Sequence, residues 1–169
     1  MHVFPDGQVA GFRLRPQRDQ ADMPFLVSLM SSAREAERAF FAGDARMWHM
    51  LMDHQARAQT HHYRATYPGA SMDILERNGH GAGRLCLHQR DDAILVLDIV
   101  IIPGLRGRGH GGAILRAVMD VAAARGQAVR LHVIAHNPAR RLYERLGFRV
   151  AGDDGLGQRL AMEWRAAAH

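Results

Sequence analysis

Between Arg106 and Gly112 the chain runs RGRGHGG, four glycines and two arginines that begin three residues beyond a β-branched stretch. Glycine at that density clears Cβ atoms from one side of a turn, so backbone N–H groups can approach a bulky anion. If the turn also opens a helix, the helix dipole adds about half a positive charge at the same place. Gly107, Gly109, Gly111 and Gly112 supply the clearance, and Arg106 and Arg108 add charge. The chemistry indicated is phosphate binding.

Two familiar phosphate patterns do not hold. Gly104 and Gly109 have P-loop spacing, but His110 and Gly111 stand where Lys and Ser or Thr are needed. Gly107, Gly109 and Gly112 match G-x-G-x-x-G literally. That dinucleotide fingerprint should follow the first strand directly and be answered by an acid about 20 residues on. Here Pro103–Arg106 intervene, the strand is about the fourth, and Asp120 falls in the middle of a helix. A third pattern, [Q/R]-x-x-G-x-[G/A] after a strand ending in proline, is met by Arg106, Gly109 and Gly111 behind Pro103. With the apolar helix that follows, it resembles motif A of the GNAT superfamily of acyl-CoA-dependent N-acyltransferases. Downstream, NPARRLYERLGF resembles motif B of the same superfamily at Asn137, Tyr143, Gly147 and Phe148, with the alanine one place early at Ala139. The two motifs cover residues 96–148. The LRP…D opening and the HYRATYPGA segment are similar to a bacterial subgroup.

The resemblance implies one α/β domain over residues 1–169, with a single mixed, mostly antiparallel sheet of six to seven strands and about four helices. It implies acetyl-CoA as cofactor. The pyrophosphate would rest on the amides of Arg106, Gly107, Arg108, Gly109, His110, Gly111 and Gly112. The pantetheine would lie along Ile99, Val100 and Ile101, with an N–H of Val100 or Ile101 meeting the thioester carbonyl. Asn137 is an N-cap by its position, and the resemblance adds a cofactor contact. Tyr143 would be core packing by spacing alone; the resemblance makes it the general acid for a departing thiolate. His132 is the first candidate for the general base, because one branch of the family carries a catalytic glutamate there. Asp98 is the second, Glu76 the third, and a water chain without a dedicated base is the fourth. Strict alternation sets Asp98 on the face opposite Leu95, which stands where histone-type members carry their glutamate.

The implied reaction is acetyl transfer to a primary amine, a small molecule or a peptide, by direct attack in a ternary complex. A non-catalytic acyl-CoA-binding module is the alternative; Tyr143 favours catalysis, because a binder has no use for a proton donor. The acceptor itself is not legible, although Tyr63, Arg64 and Tyr67 fall in the region that would line its pocket.

These residues need elements to hold them. Gly11–Arg15 alternates and predicts a first strand. Asp22 as N-cap and Pro24 in the first turn predict a helix, and a second spans about Asp44 to Tyr67. Met72–Glu76, Arg84–Gln89 and Ala93–Ile102 predict a meander, the last and most β-branched being central. A helix follows the glycines to about Gly126, and Ala128–Ala135 is a strand. Asn137, Pro138 and Gly147 mark the start and stop of a short helix, and residues 149–152 and Arg159–Trp164 close as strands.

The whole chain sets the outer bounds. Its 169 residues suffice for one well-buried core. There is no apolar leader and no run near the roughly 18 residues of a membrane span, so neither secretion nor a membrane partner is expected. One cysteine, Cys86, excludes an internal disulfide and fits a reducing cytoplasm. The net charge is +5 and all 22 basic residues are arginine, scattered rather than in runs, which argues against a nucleic-acid partner. His49, His54, His61 and His62 miss metal-ligand spacing and no carboxylate set completes them, so no metal is expected. A homodimer is compatible with all of this.

Overall fold

The computed structural model describes residues 2–167. Its strands are β1 (Gln8–Val9), β2 (Phe12–Pro16), β3 (Ser71–Arg77), β4 (His80–Gln89), β5 (Ala93–Ile101), β6 (Ala128–Ile134), β7 (Arg149–Asp153) and β8 (Arg159–Trp164). They form one sheet in the order β1-β2-β3-β4-β5-β6-β8-β7. Every neighbouring pair is antiparallel except β5 and β6. Eight strands exceed the six to seven expected. The extra one is β1, a two-residue strand folded onto β2 through Ala10 and Gly11 at positive φ. Two residues are too few for alternation to register.

The helices are α1 (Met23–Ala33), α2 (Glu35–Arg38), α3 (Ala45–Thr66), α4 (His110–Ala124) and α5 (Ala139–Arg145). The expected four become five through α2, a single turn. Asp22 begins α1 but does not cap it with its side chain. Its carboxylate turns back to Arg15, 2.8 Å away, and to the Arg18 amide at 2.6 Å. Asp44 does cap α3, accepting from the Met47 amide.

Apolar periodicity explains the layering. Trp48, Met52, Ala56 and Thr60 recur every fourth residue and form the buried stripe of α3. That stripe packs with Leu26 and Val27 of α1 and Ile74 of β3 on one face of the sheet. Ile114, Leu115 and Val118 of α4 pack with Ile94 and Val129 on the other face. Each such fully buried aliphatic side chain contributes about 1.5–3 kcal/mol.

One irregularity decides which way the second half of β5 faces. Cys86 of β4 pairs with Asp98 and Leu87 pairs with Val96, so Leu97 has no partner across the ladder. A bulge of one residue exchanges the two faces of the strand beyond it. Ile94 and Val96 before the bulge join the α4 core, and so do Ile99 and Ile101 after it. Leu95 and Asp98 consequently share the α3 face, and the opposite-face expectation is corrected.

Candidate active site

β5 and β6 run parallel and paired from Ala93/Ala128 to Val96/Leu131, and no further. Both strands continue, β5 to Ile101 and β6 to Ile134, so a gap opens in the middle of the sheet. The Ile102 amide donates to the Ala82 carbonyl on β4 at 2.9 Å, with Val100 opposite Arg84 and Asp98 opposite Cys86. Alternation therefore turns the Val100 amide toward β4 and the amides of Ile99 and Ile101 toward the gap. Val100, one of two residues expected to meet the thioester carbonyl, is on the wrong edge for that contact. Gly83 makes this geometry possible: a Cβ there would lie 2.3 Å from the Val100 carbonyl oxygen.

At the end of β5 lies the glycine loop. Gly107 and Gly109 adopt φ of +70° and +81°, a left-handed conformation that only glycine accepts cheaply. Gly109 is the N-cap of α4 and has no side chain to satisfy the first turn. Among the described residues, no amide from Gly107 to Gly112 has a backbone or side-chain acceptor. Nothing lies within 4 Å of a Cβ built on Gly107 or Gly109, so the hollow is open. Donors in a nest at a helix N-terminus fit a pyrophosphate. Arg108 is exposed and unpaired among the described residues.

Two loop side chains are engaged elsewhere. Arg106 donates through Nε to the Ile101 carbonyl at 2.8 Å and through Nη2 to Ser32 Oγ at 2.9 Å. It ties the loop to the strand and to α1, and its charge is less available to an anion than expected. His110 stands edge-on to Phe12, ring centroids 5.2 Å apart, with Nε2 3.3 Å from Arg77 Nη1.

α5 delivers Tyr143, and its C-terminus explains how. The Gly147 amide bonds the Glu144 carbonyl and the Phe148 amide bonds the Tyr143 carbonyl, a Schellman arrangement with Gly147 at φ +95°. Such a motif brings its last residue against the helix three positions before the cap. Here that contact is Phe148 on Tyr143, ring centroids 6.0 Å apart. Leu142 packs beside Gly111 and Gly112, which sets α5 against the first turn of α4. Tyr143 is half-buried. Burial raises its pKa first, and the Asp98 carboxylate adds to the rise. Asn137 is exposed, and its Oδ1 accepts from the Ala139 amide at 2.9 Å, a capping bond.

The base candidates separate. Glu76 is held by Arg15 at 2.7 Å and sits in an ion pair shared with Asp22. His132 is exposed on β6 just past the last pair with β5; burial and the charge of Arg159 lower its pKa. It lines a cleft of about 500 Å³ on the α3 face together with Tyr63, Tyr67, Leu97 and Arg159. Asp98 lies in the adjoining cavity; burial raises its pKa, opposed by Arg84 and the Ile99 amide.

Sequence reasoning missed a buried polar chain behind these groups. Arg84, 4% exposed, lies 3.5 Å from Asp98 Oδ2, donates to Gln59 Oε1 at 2.8 Å and stacks over Tyr63 at 5.6 Å. The Tyr63 hydroxyl donates to the Leu97 carbonyl at 2.9 Å. Arg84 alternates with Leu85 and Leu87 as a solvent-facing residue would. The signal was there only in α3, whose Gln59 and Tyr63 stand four apart on the helix that covers it.

A sheet split beside a glycine cradle at a helix N-terminus is a site shaped for an extended ligand with an anionic end. The chain belongs to the acetyltransferase (GNAT) family, whose model matches residues 30–148. It is an acyl-CoA-dependent acetyltransferase, and acetyl-CoA is its acyl donor. The fold is similar to that of the PaiA N-acetyltransferase from Thermoplasma acidophilum in complex with coenzyme A (14% identity, TM-score 0.64, 92% of this chain and 99% of that one). It is also similar to an acetyltransferase from Thermus thermophilus (21%, TM-score 0.64, 98% and 100%) and to the ribosomal-protein-S18-alanine N-acetyltransferase from Escherichia coli (19%, TM-score 0.58, 94% and 96%). No curated protein is detectably similar in sequence. No helix among the described residues is long and apolar enough to cross a membrane.

Proposed function

We propose that this acetyltransferase acts on a primary amine, by direct attack in a ternary complex. The observation that carries the reading is the gap between β5 and β6, with the Ile99 and Ile101 amides on one wall and the His132 cleft opening on the α3 face. Acetyl-CoA supplies an activated acetyl thioester. The amides of Gly107–Gly112 hold its pyrophosphate at the α4 N-terminus, and Ile99–Ile101 take the pantetheine as a further strand, with Asn137 at its flank. The Ile101 amide meets the carbonyl oxygen as charge builds on it; one such donor is worth about 3 kcal/mol in the transition state. His132 takes the proton that the amine loses as its nitrogen bonds the acyl carbon. Tyr143 gives its hydroxyl proton to the sulfur as the C–S bond breaks. The directions of both pKa shifts suit these roles, since His132 stays neutral and Tyr143 stays protonated near pH 7.

Thiol release from acetyl-CoA against a panel of amines, alongside calorimetric binding of coenzyme A, tests the reading. Amine-dependent release supports it. Tight coenzyme A binding with no release for any amine overturns it in favour of a sensing module.

A further inference from the structure

The cradle at the start of α4 draws less charge from its own loop than the sequence suggests. Arg106 is committed to Ile101 and Ser32, which leaves Arg108 as the loop's one guanidinium without a partner among the described residues. A second guanidinium comes from within the helix. Arg116 stands four residues after Gly112 and folds back over it: a Cβ built on Gly112 would lie 3.5 Å from Arg116 Nη1 and 3.6 Å from Nη2. Helical side chains lean toward the N-terminus, so residue 116 can reach the first turn. Gly112 keeps that space clear, and a Leu142 methyl of α5 bounds it, 3.5 Å from the same point.

This is an unfavourable place for a bare cation, because the N-terminal end of a helix is its positive end. Arg116 has no carboxylate partner or hydrogen-bond acceptor among the described residues. Asp120, one turn toward the favourable end of α4, is not paired with it. The Gly112 amide belongs to the open first turn, and its nitrogen lies roughly 2.5 Å from that Cβ position by covalent geometry. Arg116 Nη1 and the Gly112 nitrogen are therefore no more than about 6 Å apart, a distance that one phosphate group spans with two hydrogen bonds.

We propose that Arg116 is a cofactor-binding residue, which closes over the pyrophosphate of coenzyme A from the α5 side and supplies the charge that Arg106 does not. The proposal rests on the reading that the amides of Gly107–Gly112 hold that pyrophosphate. A guanidinium adds charge-assisted hydrogen bonds to the neutral ones of the amides, so its removal should weaken phosphate-bearing ligands alone.

Calorimetry with coenzyme A, 3′-dephospho-coenzyme A and pantetheine tests this in the wild-type protein, in Arg116→Gln and in Arg125→Gln. Arg125 caps the far end of α4, roughly 20 Å from Gly112 and well beyond the screening length at physiological salt. Arg116→Gln should weaken coenzyme A and its 3′-dephospho form alike, by about tenfold, the value of a hydrogen bond to a charged group. It should leave pantetheine unchanged and should not lower the unfolding midpoint. Arg125→Gln should change none of the three affinities. A loss for coenzyme A without a matching loss for the 3′-dephospho form overturns the proposal in favour of a 3′-phosphate contact. An equal loss in Arg125→Gln makes the effect one of net charge, and a loss that extends to pantetheine makes it structural. Either result overturns the proposal, as does unchanged binding in Arg116→Gln. If the wild-type protein binds 3′-dephospho-coenzyme A no better than pantetheine, the cradle reading falls and the proposal with it; discrimination that survives intact in Arg116→Gln overturns the proposal alone.

Discussion

The hydroxyl of Tyr63 on α3 donates to the carbonyl of Leu97, 2.9 Å away, at the one residue β5 carries in excess of its partner. A bulge leaves that carbonyl without a ladder partner, and a half-buried carbonyl without a donor is costly. The helix therefore stabilises the irregularity that aims Asp98 at the α3 face. Tyr63→Phe removes the donor and should destabilise the fold by about 1–3 kcal/mol. Thermal unfolding measures it; an unchanged midpoint would mean that the bulge holds itself.

Gly83→Ala should be more damaging than Gly81→Ala. At position 83 the new Cβ meets the Val100 carbonyl oxygen at 2.3 Å, whereas at 81 it meets the Phe25 ring at 3.0 Å. Backbone cannot step aside as a ring can. Overpacking of this kind costs about 1–3 kcal/mol, which lowers the unfolding midpoint by roughly 2–12 °C in a chain of this size. Coenzyme A affinity should fall with it, because β5 forms the wall of the gap.

Arg106 and Arg108 flank the same glycine and should behave differently. Arg106→Gln releases the loop from Ile101 and Ser32 and should lower both the unfolding midpoint and coenzyme A affinity. Arg108→Gln touches no partner, so stability should stay within about 0.5 kcal/mol while the salt dependence of coenzyme A binding weakens. Equal loss of stability in both variants would contradict the division of roles.

Much of this was legible in the sequence. The loop glycines, Asn137 and the Gly147–Phe148 stop carry strong local signals, because each needs a backbone conformation or capping bond that few residues supply. The bulge carries none. Leu95, Val96, Leu97 and Ile99 are all apolar, so an extra residue leaves no break in the pattern, and alternation placed Asp98 on the wrong face. Arg106 looked like a phosphate ligand because its partners, Ile101 and Ser32, meet it only once α1 lies across the loop. Arg84 was hidden for the same reason by α3.

The pH dependence of kcat/KM should carry the His132 assignment. Burial and Arg159 lower its pKa, so the rising limb should lie below the ordinary imidazole value of about 6.5. Arg159→Gln removes one cause of the lowering and should move the limb to higher pH. His132→Gln should abolish it. A limb unmoved in both variants would shift the base role to Asp98 or to water.

In the proposed mechanism Tyr143 protonates the departing thiolate. Single-turnover acetyl transfer in Tyr143→Phe, with coenzyme A affinity measured on the same protein, tests it most directly. The expected result is a loss of about 10²–10⁴ in rate with affinity nearly unchanged. A rate within twofold of wild type would contradict it.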